Sequence, residues 1–202
     1  MTEKKQKKHQ TILTIGIVTT EFGHILERCL KSITQRIKTK DCEIIIWGNN
    51  SRHINKRSSK LRNTRIKIIS SQKNIGFGRA CNRIIRMSRS PYLLFLNPDT
   101  EITDSAIDKL LRFMQRNPTI GVAGPRIINP DGSLQLAGNT FPSLKNILIE
   151  TFFLDRMFPR HRLFGEHKMS YWDHSDIRPV DWVTGSCLMI RRKALDSVGL
   201  FD

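Results

Sequence analysis

Short apolar runs alternate with segments of helical periodicity between residues 12 and 96. The predicted strands, rich in branched and aromatic residues, are Ile12–Val18, Cys42–Trp47, Ile66–Ile69 and Tyr92–Leu96. The two predicted helices, with apolar residues three and four positions apart, are Glu21–Ile37 and Phe77–Met87. A short basic segment joins the second strand to the third. This alternation predicts an α/β fold in which helices flank a mostly parallel sheet.

The alternation becomes less regular after residue 100. A helix is predicted over Thr103–Gln115, with Thr103 as its N-cap and Pro118 just beyond its end. Asn129–Ser133 is typical of a hairpin turn, and Val180–Arg192 predicts two strands joined by a turn of small residues. A chain of 202 residues suits one domain of this class. We predict that this domain covers residues 11–202 and that residues 1–10 are a disordered basic tail.

The positive charge is concentrated in one part of the chain. The net charge is +16, and twelve lysines and arginines but no acidic residues lie between Glu43 and Asp99. Such a field attracts polyanions, so a nucleic acid, an anionic membrane surface and a phosphate-bearing substrate are all candidates. The basic stretch lacks the interleaved aromatic residues and recognised modules of nucleic-acid-binding proteins. We therefore expect no nucleic-acid partner.

The sequence predicts a cytoplasmic protein. It has no apolar stretch near the length that spans a bilayer, and no apolar region follows the N-terminal lysines as it would in a signal peptide. Its four cysteines are scattered, which favours buried thiols over disulfides or a zinc site. Leu144–Phe158 mixes apolar and charged residues and precedes a basic segment. It is either a helix in a membrane interface or, as we favour, a helix packed on the core.

The strand Tyr92–Leu96 ends in the polar turn Asn97–Thr100. Open α/β sheets bind their ligands just past the carboxyl ends of such strands, so Asp99 lies where a metal ion or a diphosphate would be bound. Upstream, Gly76 and Gly78 open the helix that contains Asn82. Glycines at a helix start allow backbone N–H groups to approach a phosphate or a sugar closely.

These segments occur in the order and spacing of a known family. They are Ile17–Thr19, Asn74–Asn82, Leu96–Thr100, Gly121–Arg126, Pro130–Ser133, Trp182–Arg192 and Gly199–Asp202. Together they resemble the motifs of GT-A type glycosyltransferases of family 2, especially the rhamnosyltransferase-like branch. The resemblance covers nearly all of the chain after residue 11. It implies a GT-A, Rossmann-like sheet whose C-terminal part is incomplete.

The resemblance also implies an activity and a set of site residues. A sugar, with rhamnose as one candidate, would move with inversion from a dTDP- or UDP-sugar to a lipid-linked acceptor of a bacterial surface glycan such as lipopolysaccharide. Asp99 would bind Mg²⁺ or Mn²⁺, while Trp182 and Gly185 would lie on the sugar or acceptor side. The expected donor-binding residues are Thr19, Asn49, Asn74, Gly76, Phe77, Asn82 and Asn97. The enzyme would work at the inner face of the cell membrane, with peripheral contact to anionic lipid.

The chain departs from the family pattern at three places. Thr20 and Glu21 replace a tyrosine and an asparagine. Gly48 replaces an aspartate that contacts the nucleoside, unless Asn49 or Asn50 substitutes for it. The family's catalytic base comes several residues after the motif that ends at Asp202, so we expect it beyond Asp202 and assign no catalytic residue here. The sequence therefore leaves open a transferase, a truncated and inactive form of it, and a non-catalytic protein that binds a nucleotide sugar or a glycan.

Overall fold

The computed structural model describes residues 11–51 and 65–202. The predicted tail 1–10 and the basic segment 52–64 lie outside these residues. The described chain divides into two compact units, one formed by residues 11–51, 65–123 and 186–202, and the other by residues 124–185. The domain boundaries predicted from the sequence stay a prediction.

The elements are numbered here in chain order. The strands are β1 Leu13–Thr19, β2 Cys42–Gly48, β3 Arg65–Ser70, β4 Tyr92–Leu96, β5 Val122–Ala123, β6 Ile127–Ile128, β7 Leu134–Gln135, β8 Gly138–Asn139, β9 Trp182–Val183 and β10 Cys187–Arg191. The helices are α1 His24–Arg36, α2 Phe77–Met87, α3 Ala106–Arg116, α4 Leu144–Thr151, α5 Leu154–Met157 and α6 Arg192–Val198.

The first unit contains a six-stranded sheet in the order β3-β2-β1-β4-β10-β5. The first four strands of this order run parallel, and β10 is antiparallel to both of its neighbours. The chain moves outward from β1 through β2 to β3 and then returns to place β4 on the other side of β1. The predicted α/β fold with a mostly parallel sheet is therefore confirmed.

Close packing of α2 on the sheet forms much of the core of the first unit. Cys81 and Ile84 of α2 pack with Phe95 of β4 in one buried cluster. Gly16 of β1 makes this approach possible, because a Cβ atom there would lie 2.8 Å from the Phe95 ring and 3.1 Å from Ile84. Branched and aromatic side chains fill β1, β2 and β4, which explains why periodicity identified these strands from the sequence.

Two helices begin later than the sequence predicted. The prediction of Thr103 as an N-cap is wrong, because Asp104 adopts a positive φ of 49° and α3 starts only at Ala106, after Ser105. Similarly, α1 starts at His24 because the backbone at Glu21 forms a turn with the Thr19 hydroxyl. Local hydrogen bonding by the Thr19 side chain thus competes with helix formation before α1.

The second unit contains two small antiparallel pairs. β6 pairs with β7 around the turn 129–133, in which the Asn129 N–H donates to the Ser133 carbonyl and Gly132 has a φ of 83°. The predicted hairpin is therefore confirmed. In the second pair, β8 lies against β9, with Asn139 opposite Trp182.

The segment Leu144–Phe158 is not the core-packed helix that we favoured. It forms α4 and the short α5, separated by Phe153 with a φ of 56°. Only Asn146 and Ile149 of α4 are buried, and none of the residues of α5 is. Within residues 11–51 and 65–202, no helix is long and apolar enough to cross a membrane.

Candidate functional site

The carboxyl ends of β1, β2 and β4 meet at one edge of the sheet. Thr19 lies opposite Gly48, and Ile17 lies opposite Leu96. Because β1 stands between β2 and β4, this edge is also the place where successive strands change sides. Such a reversal leaves a crevice beyond the strands in open α/β sheets. We call the residues that follow these three strands the sheet-edge site.

Asn49 organises one half of the sheet-edge site. Its backbone N–H donates to the Thr19 carbonyl at 2.6 Å, and its side chain is buried. The side-chain amide donates to Asn74 Oδ1 at 2.6 Å, while Asn49 Oδ1 accepts the Ile75 N–H at 2.8 Å. Asn74 Oδ1 also accepts the Gly76 N–H at 2.9 Å. The structure thus brings together three of the residues predicted from the sequence, Asn49, Asn74 and Gly76.

The loop held by Asn49 leads directly into α2. Gly76 has a φ of 83°, a conformation that glycine adopts readily and that other residues rarely do. No side chain caps the helix, whose first residue, Phe77, is exposed. The N–H groups of the first turn, aided by the helix dipole, can therefore donate to an anion such as a diphosphate.

Thr19 and Asn97 contribute to the turns at this edge. The Thr19 hydroxyl donates to the Glu21 carbonyl at 2.6 Å and accepts the Glu21 N–H at 3.2 Å. The Asn97 N–H donates to the Ser186 carbonyl at 3.0 Å, which joins the end of β4 to the residue before β10. These contacts fix the conformation of the turns at the sheet edge. Direct contact of Thr19 or Asn97 with a nucleotide-sugar donor stays a prediction.

Asp99 presents an exposed carboxylate in the turn after β4. The next acidic residue, Glu101, is bound to Arg28, whose Nε donates to it at 2.8 Å. In the described part of the chain, no side chain or backbone group donates a hydrogen bond to Asp99. The same residues contain no cluster of three or more histidine, cysteine, aspartate or glutamate side chains suited to a metal.

This donor set fits a divalent ion that shares its coordination with a substrate. Mg²⁺ in phosphate-transfer sites is often held by one or two carboxylates, with phosphate oxygens and water as the remaining ligands. Asp99 supplies one such carboxylate. Cys29 is not a ligand, because burial and then the negative charge of Asp99 raise the pKa of its thiol to about 12. The neutral thiol instead points to the Asn97 carbonyl, 3.8 Å away.

The space at Gly48 is filled by neighbouring side chains. A Cβ atom on Gly48 would lie 2.2 Å from Ser51 Oγ and 2.9 Å from the ring of Phe22. Ser51 is itself held in place by hydrogen bonds with Ser70 of β3. Of the two suggested substitutes for the missing aspartate, Asn49 is engaged with the Asn74 loop. Asn50 is exposed, with a φ of 62°.

Asn82 makes a pair of contacts that the sequence did not predict. Its side-chain amide donates to the Phe201 carbonyl at 2.6 Å, and its side-chain oxygen accepts the Phe201 N–H at 3.0 Å. The adjacent turn of α2 carries Gly78, where a Cβ atom would lie 2.7 Å from the Asp202 carbonyl oxygen. Asn82 and Gly78 thus hold the segment 199–202 against α2. Contact of Asn82 with a nucleotide-sugar donor stays a prediction.

Trp182 and Gly185 belong to the second unit. The Trp182 indole N–H donates to the Thr140 carbonyl at 3.1 Å, and the Thr184 N–H donates to the Ala137 carbonyl at 2.9 Å. Gly185 follows these contacts and is exposed. The assignment of both residues to a sugar or an acceptor stays a prediction.

Comparison with known proteins gives a family match and several relatives. The family model described as "Glycosyl transferase family 2" matches residues 14–199. The N-acetylglucosaminyl-diphospho-decaprenol L-rhamnosyltransferase of Mycobacterium tuberculosis is 29% identical over 202 residues, which cover 95% of this chain and 65% of the relative. A low-salt glycan biosynthesis hexosyltransferase of Haloferax volcanii is 29% identical over 205 residues, covering 97% of this chain and 59% of that protein. The chain therefore spans less than two thirds of these relatives.

Solved structures share the fold at low sequence identity. The mannosyltransferase PcManGT from Pyrobaculum calidifontis, in complex with GDP-Man and Mn²⁺, aligns with a TM-score of 0.60 at 12% identity. That alignment covers 96% of this chain and 48% of the mannosyltransferase. Residues 1–349 of TarS from S. aureus align with a TM-score of 0.59 at 12% identity, covering 94% of this chain and 50% of that 1–349 chain. The α/β fold thus matches that of GT-A glycosyltransferases.

Proposed function

This chain belongs to glycosyl transferase family 2, and we propose that it binds a nucleotide-diphosphate sugar at the sheet-edge site for transfer of the sugar, with inversion, to a glycan hydroxyl. One observation carries the proposal. Hydrogen bonds join Asn49, after β2, to Asn74 and Gly76, before the uncapped start of α2, and the exposed carboxylate of Asp99 follows β4. The start of α2 offers N–H donors to the negatively charged phosphates, and Asp99 offers a carboxylate for the divalent ion that would neutralise them.

The residues of this site divide the work of donor binding. The backbone N–H groups at the start of α2 would donate to phosphate oxygens, and Gly76 would allow their close approach. Asp99 would hold Mg²⁺ or Mn²⁺, which when bound neutralises the diphosphate and stabilises it as a leaving group. Asn49 contacts the loop and not the reacting atoms, so it is a positioning residue. Deprotonation of the acceptor is assigned to none of these side chains.

The relatives suggest the class of donor and acceptor. The mycobacterial relative is named for transfer of L-rhamnose to N-acetylglucosaminyl-diphospho-decaprenol. We propose the same chemical class here: a dTDP- or UDP-sugar as donor and a glycan linked through diphosphate to a membrane lipid as acceptor. The excess of basic residues favours acidic partners of this kind. The reaction would take place on the cytoplasmic face of the membrane, where nucleotide sugars are available.

Gly48 favours a second candidate function, which is donor binding without transfer. With no carboxylate at position 48 and with Ser51 and Phe22 filling the space, the family's expected contact to the nucleoside is absent from the described site. Without that contact, the nucleobase would be bound weakly. Weak nucleobase binding would suit a protein that binds nucleotide sugars with low affinity or binds only the glycan.

Calorimetric titration with UDP, dTDP and GDP in the presence of Mn²⁺ tests donor binding. The proposal predicts binding of UDP or dTDP, with affinity lowered about tenfold in Asn74→Ala, because the loop before α2 loses two hydrogen bonds. Asn129→Ala, in the hairpin of the second unit, is the matched control and should bind like the parent. A folded parent that binds none of the three diphosphates would overturn the proposal.

Transfer is then tested with the donor that binds best. Labelled dTDP-rhamnose and UDP-N-acetylglucosamine are offered together with a synthetic polyprenyl-diphospho-N-acetylglucosamine acceptor. Label in the lipid product supports the transferase. Donor binding without labelled product supports the second candidate.

A further inference from the structure

An exposed apolar surface lies on the two helices of residues 144–158 in the second unit. Side chains that would be buried in an ordinary amphipathic helix are open to solvent here, with Leu144 82% exposed, Phe152 66% exposed and Met157 66% exposed. We call this the α4–α5 surface, and its main apolar members are Leu144, Leu148, Phe152, Phe153, Met157 and Phe158. Exposed apolar side chains gathered in one segment are a feature of interaction sites in soluble domains.

The local fold explains why these side chains remain exposed. The positive φ of Phe153 ends α4 and turns the chain into α5, so the apolar residues do not form one continuous stripe. α4 buries only Asn146 and Ile149, and α5 buries nothing. Both helices are thus fixed with most of their apolar side chains unpartnered within the described chain.

The charges around the α4–α5 surface are unbalanced. Its two carboxylates, Glu150 and Asp155, are both bound by Lys168, at 3.4 and 2.7 Å. Two arginines, Arg160 and Arg162, have no carboxylate partner among the residues that the structure describes, whereas the charge of Arg156 acts on the Asp155 carboxylate. Arg156 also lies over the Phe153 ring, with its guanidinium carbon 5.1 Å from the ring centre. The charge left without an ion-pair partner, on Arg160 and Arg162 just after α5, is therefore positive, and Arg156 lies beside one exposed aromatic ring.

We propose that the α4–α5 surface binds the face of an anionic phospholipid bilayer. Aromatic and aliphatic side chains flanked by arginines suit the headgroup region and the acyl-chain region of one leaflet. The apolar side chains would enter the boundary with the acyl chains, and the guanidinium groups would contact the phosphates. A second copy of the chain suits the surface less well, since a symmetric contact would bring the unpaired arginines of both copies together. The proposal is independent of donor binding.

Flotation with lipid vesicles tests this proposal without any sugar or nucleotide. The parent is expected to float with vesicles of phosphatidylcholine and phosphatidylglycerol, to float much less with phosphatidylcholine alone, and to be released as salt is raised to 0.5 M. Arg160→Gln/Arg162→Gln should lower the partition coefficient about 25-fold, since each arginine near an anionic surface contributes about a fivefold effect. Leu148→Gln/Met157→Gln should lower it by about tenfold or more.

Matched controls separate this surface from the general charge of the protein. Arg89→Gln/Arg112→Gln removes two exposed arginines of the first unit, and Ile128→Gln/Val198→Gln removes two exposed apolar side chains outside the α4–α5 surface. Both controls should bind vesicles like the parent, and circular dichroism should show every variant folded.

Three results would overturn the proposal. One is a folded parent that does not float with anionic vesicles, and another is equal loss of binding in the control and surface variants. The third is a dimer in gel filtration that Leu148→Gln/Met157→Gln dissociates while vesicle binding is absent, which would assign the surface to a second copy. Each of these outcomes leaves the nucleotide titrations unaffected.

Discussion

The side-chain amide of Asn49 donates a hydrogen bond to the side-chain oxygen of Asn74, 2.6 Å away. This bond ties the residue that follows β2 to the loop that begins α2. Asn49 is buried at the end of a strand, and Asn74 is exposed in a loop at the surface. The hydrogen bond between them therefore holds the loop to the strand end. The uncapped helix start therefore has a defined place at the sheet edge before any ligand binds.

Replacement of Asn49 should loosen this loop. Asn49→Ala leaves the Ile75 N–H without its acceptor and removes the donor to Asn74, which should cost about 1–3 kcal/mol in the free energy of unfolding. Urea denaturation measures this cost. Asn50→Gly, at the neighbouring exposed position with positive φ, is the control and should change stability by less than about 0.5 kcal/mol. Equal stability of Asn49→Ala and the parent would contradict this role.

Asn82 should hold the segment 199–202 against α2. Asn82→Asp keeps an acceptor for the Phe201 N–H but loses the donor to the Phe201 carbonyl, whereas Asn82→Ala loses both contacts. Hydrogen exchange at the Phe201 amide should therefore accelerate in Asn82→Ala, and more strongly than in Asn82→Asp. Arg83→Ala, next to it on α2 but exposed, should leave this exchange rate unchanged. Protection of Phe201 that persists in Asn82→Ala would refute the assignment.

Any side chain at position 48 should be costly as long as Ser51 keeps its hydroxyl. Gly48→Ala is expected to lower the free energy of unfolding by about 1–3 kcal/mol, because its Cβ meets Ser51 Oγ and the Phe22 ring. Ser51→Ala removes the nearer obstacle, so the double variant should be more stable than the sum of the two single changes implies. A double-mutant cycle by urea denaturation measures this coupling. A coupling energy near zero would show that the Ser51 hydroxyl is not the obstacle to a side chain at position 48.

The buried thiols should make stability fall at high pH. Burial is the largest cause that raises the pKa of Cys29, Cys42, Cys81 and Cys187 to about 12, from a value of 9.0. Each thiol stays protonated in the folded protein above pH 9 while the unfolded chain loses its proton. The contribution of the thiols to the free energy of unfolding is thus fully present below about pH 9. As the pH rises from 9 toward 12, the free energy of unfolding falls by about 1.4 kcal/mol for each thiol and each pH unit.

Urea denaturation at pH 8 and pH 10.5 measures this loss. The difference between the two pH values should be smaller in Cys81→Ala than in the parent, because one titrating thiol is gone. Labelling with a thiol reagent at pH 8 should be slow for the native chain and fast in urea. An identical pH dependence in the parent and in Cys81→Ala would contradict the assignment.

The sequence predicts the sheet well because burial determines its pattern. β4 and α2 have the bounds that periodicity predicts, since nearly every strand position is buried and α2 has a single apolar face. Thr103 fails as a helix cap because the backbone at Asp104 turns the other way, and residue type alone does not reveal that turn. Local propensity predicts elements, but their ends depend on hydrogen bonds with the neighbouring loops.

The sequence predicts which residues lie at the candidate site better than it predicts what each of them contacts. Asn49, Asn74 and Gly76 are found together, whereas the Asn82 side chain binds the Phe201 backbone, 119 positions away in the chain. Arg191 and Arg192 lie in a predicted motif, yet only the structure shows their contacts. Arg191 donates to the Asn117 carbonyl at 2.9 Å and Arg192 to the Ser88 carbonyl at 3.0 Å, both just beyond helix ends. Such long-range contacts leave no periodic signal in the sequence.

The metal dependence of nucleotide binding is the sharpest test of a diphosphate site that includes Asp99. Affinity for UDP and dTDP is measured by calorimetry in Mn²⁺ and again in excess EDTA, for the parent, Asp99→Asn and Asp104→Asn. Asp104 is exposed in the same loop and makes the matched control. We expect Mn²⁺ to tighten binding about tenfold or more in the parent and in Asp104→Asn, and to have little effect in Asp99→Asn. Equal dependence on Mn²⁺ in Asp99→Asn and the parent would contradict this expectation.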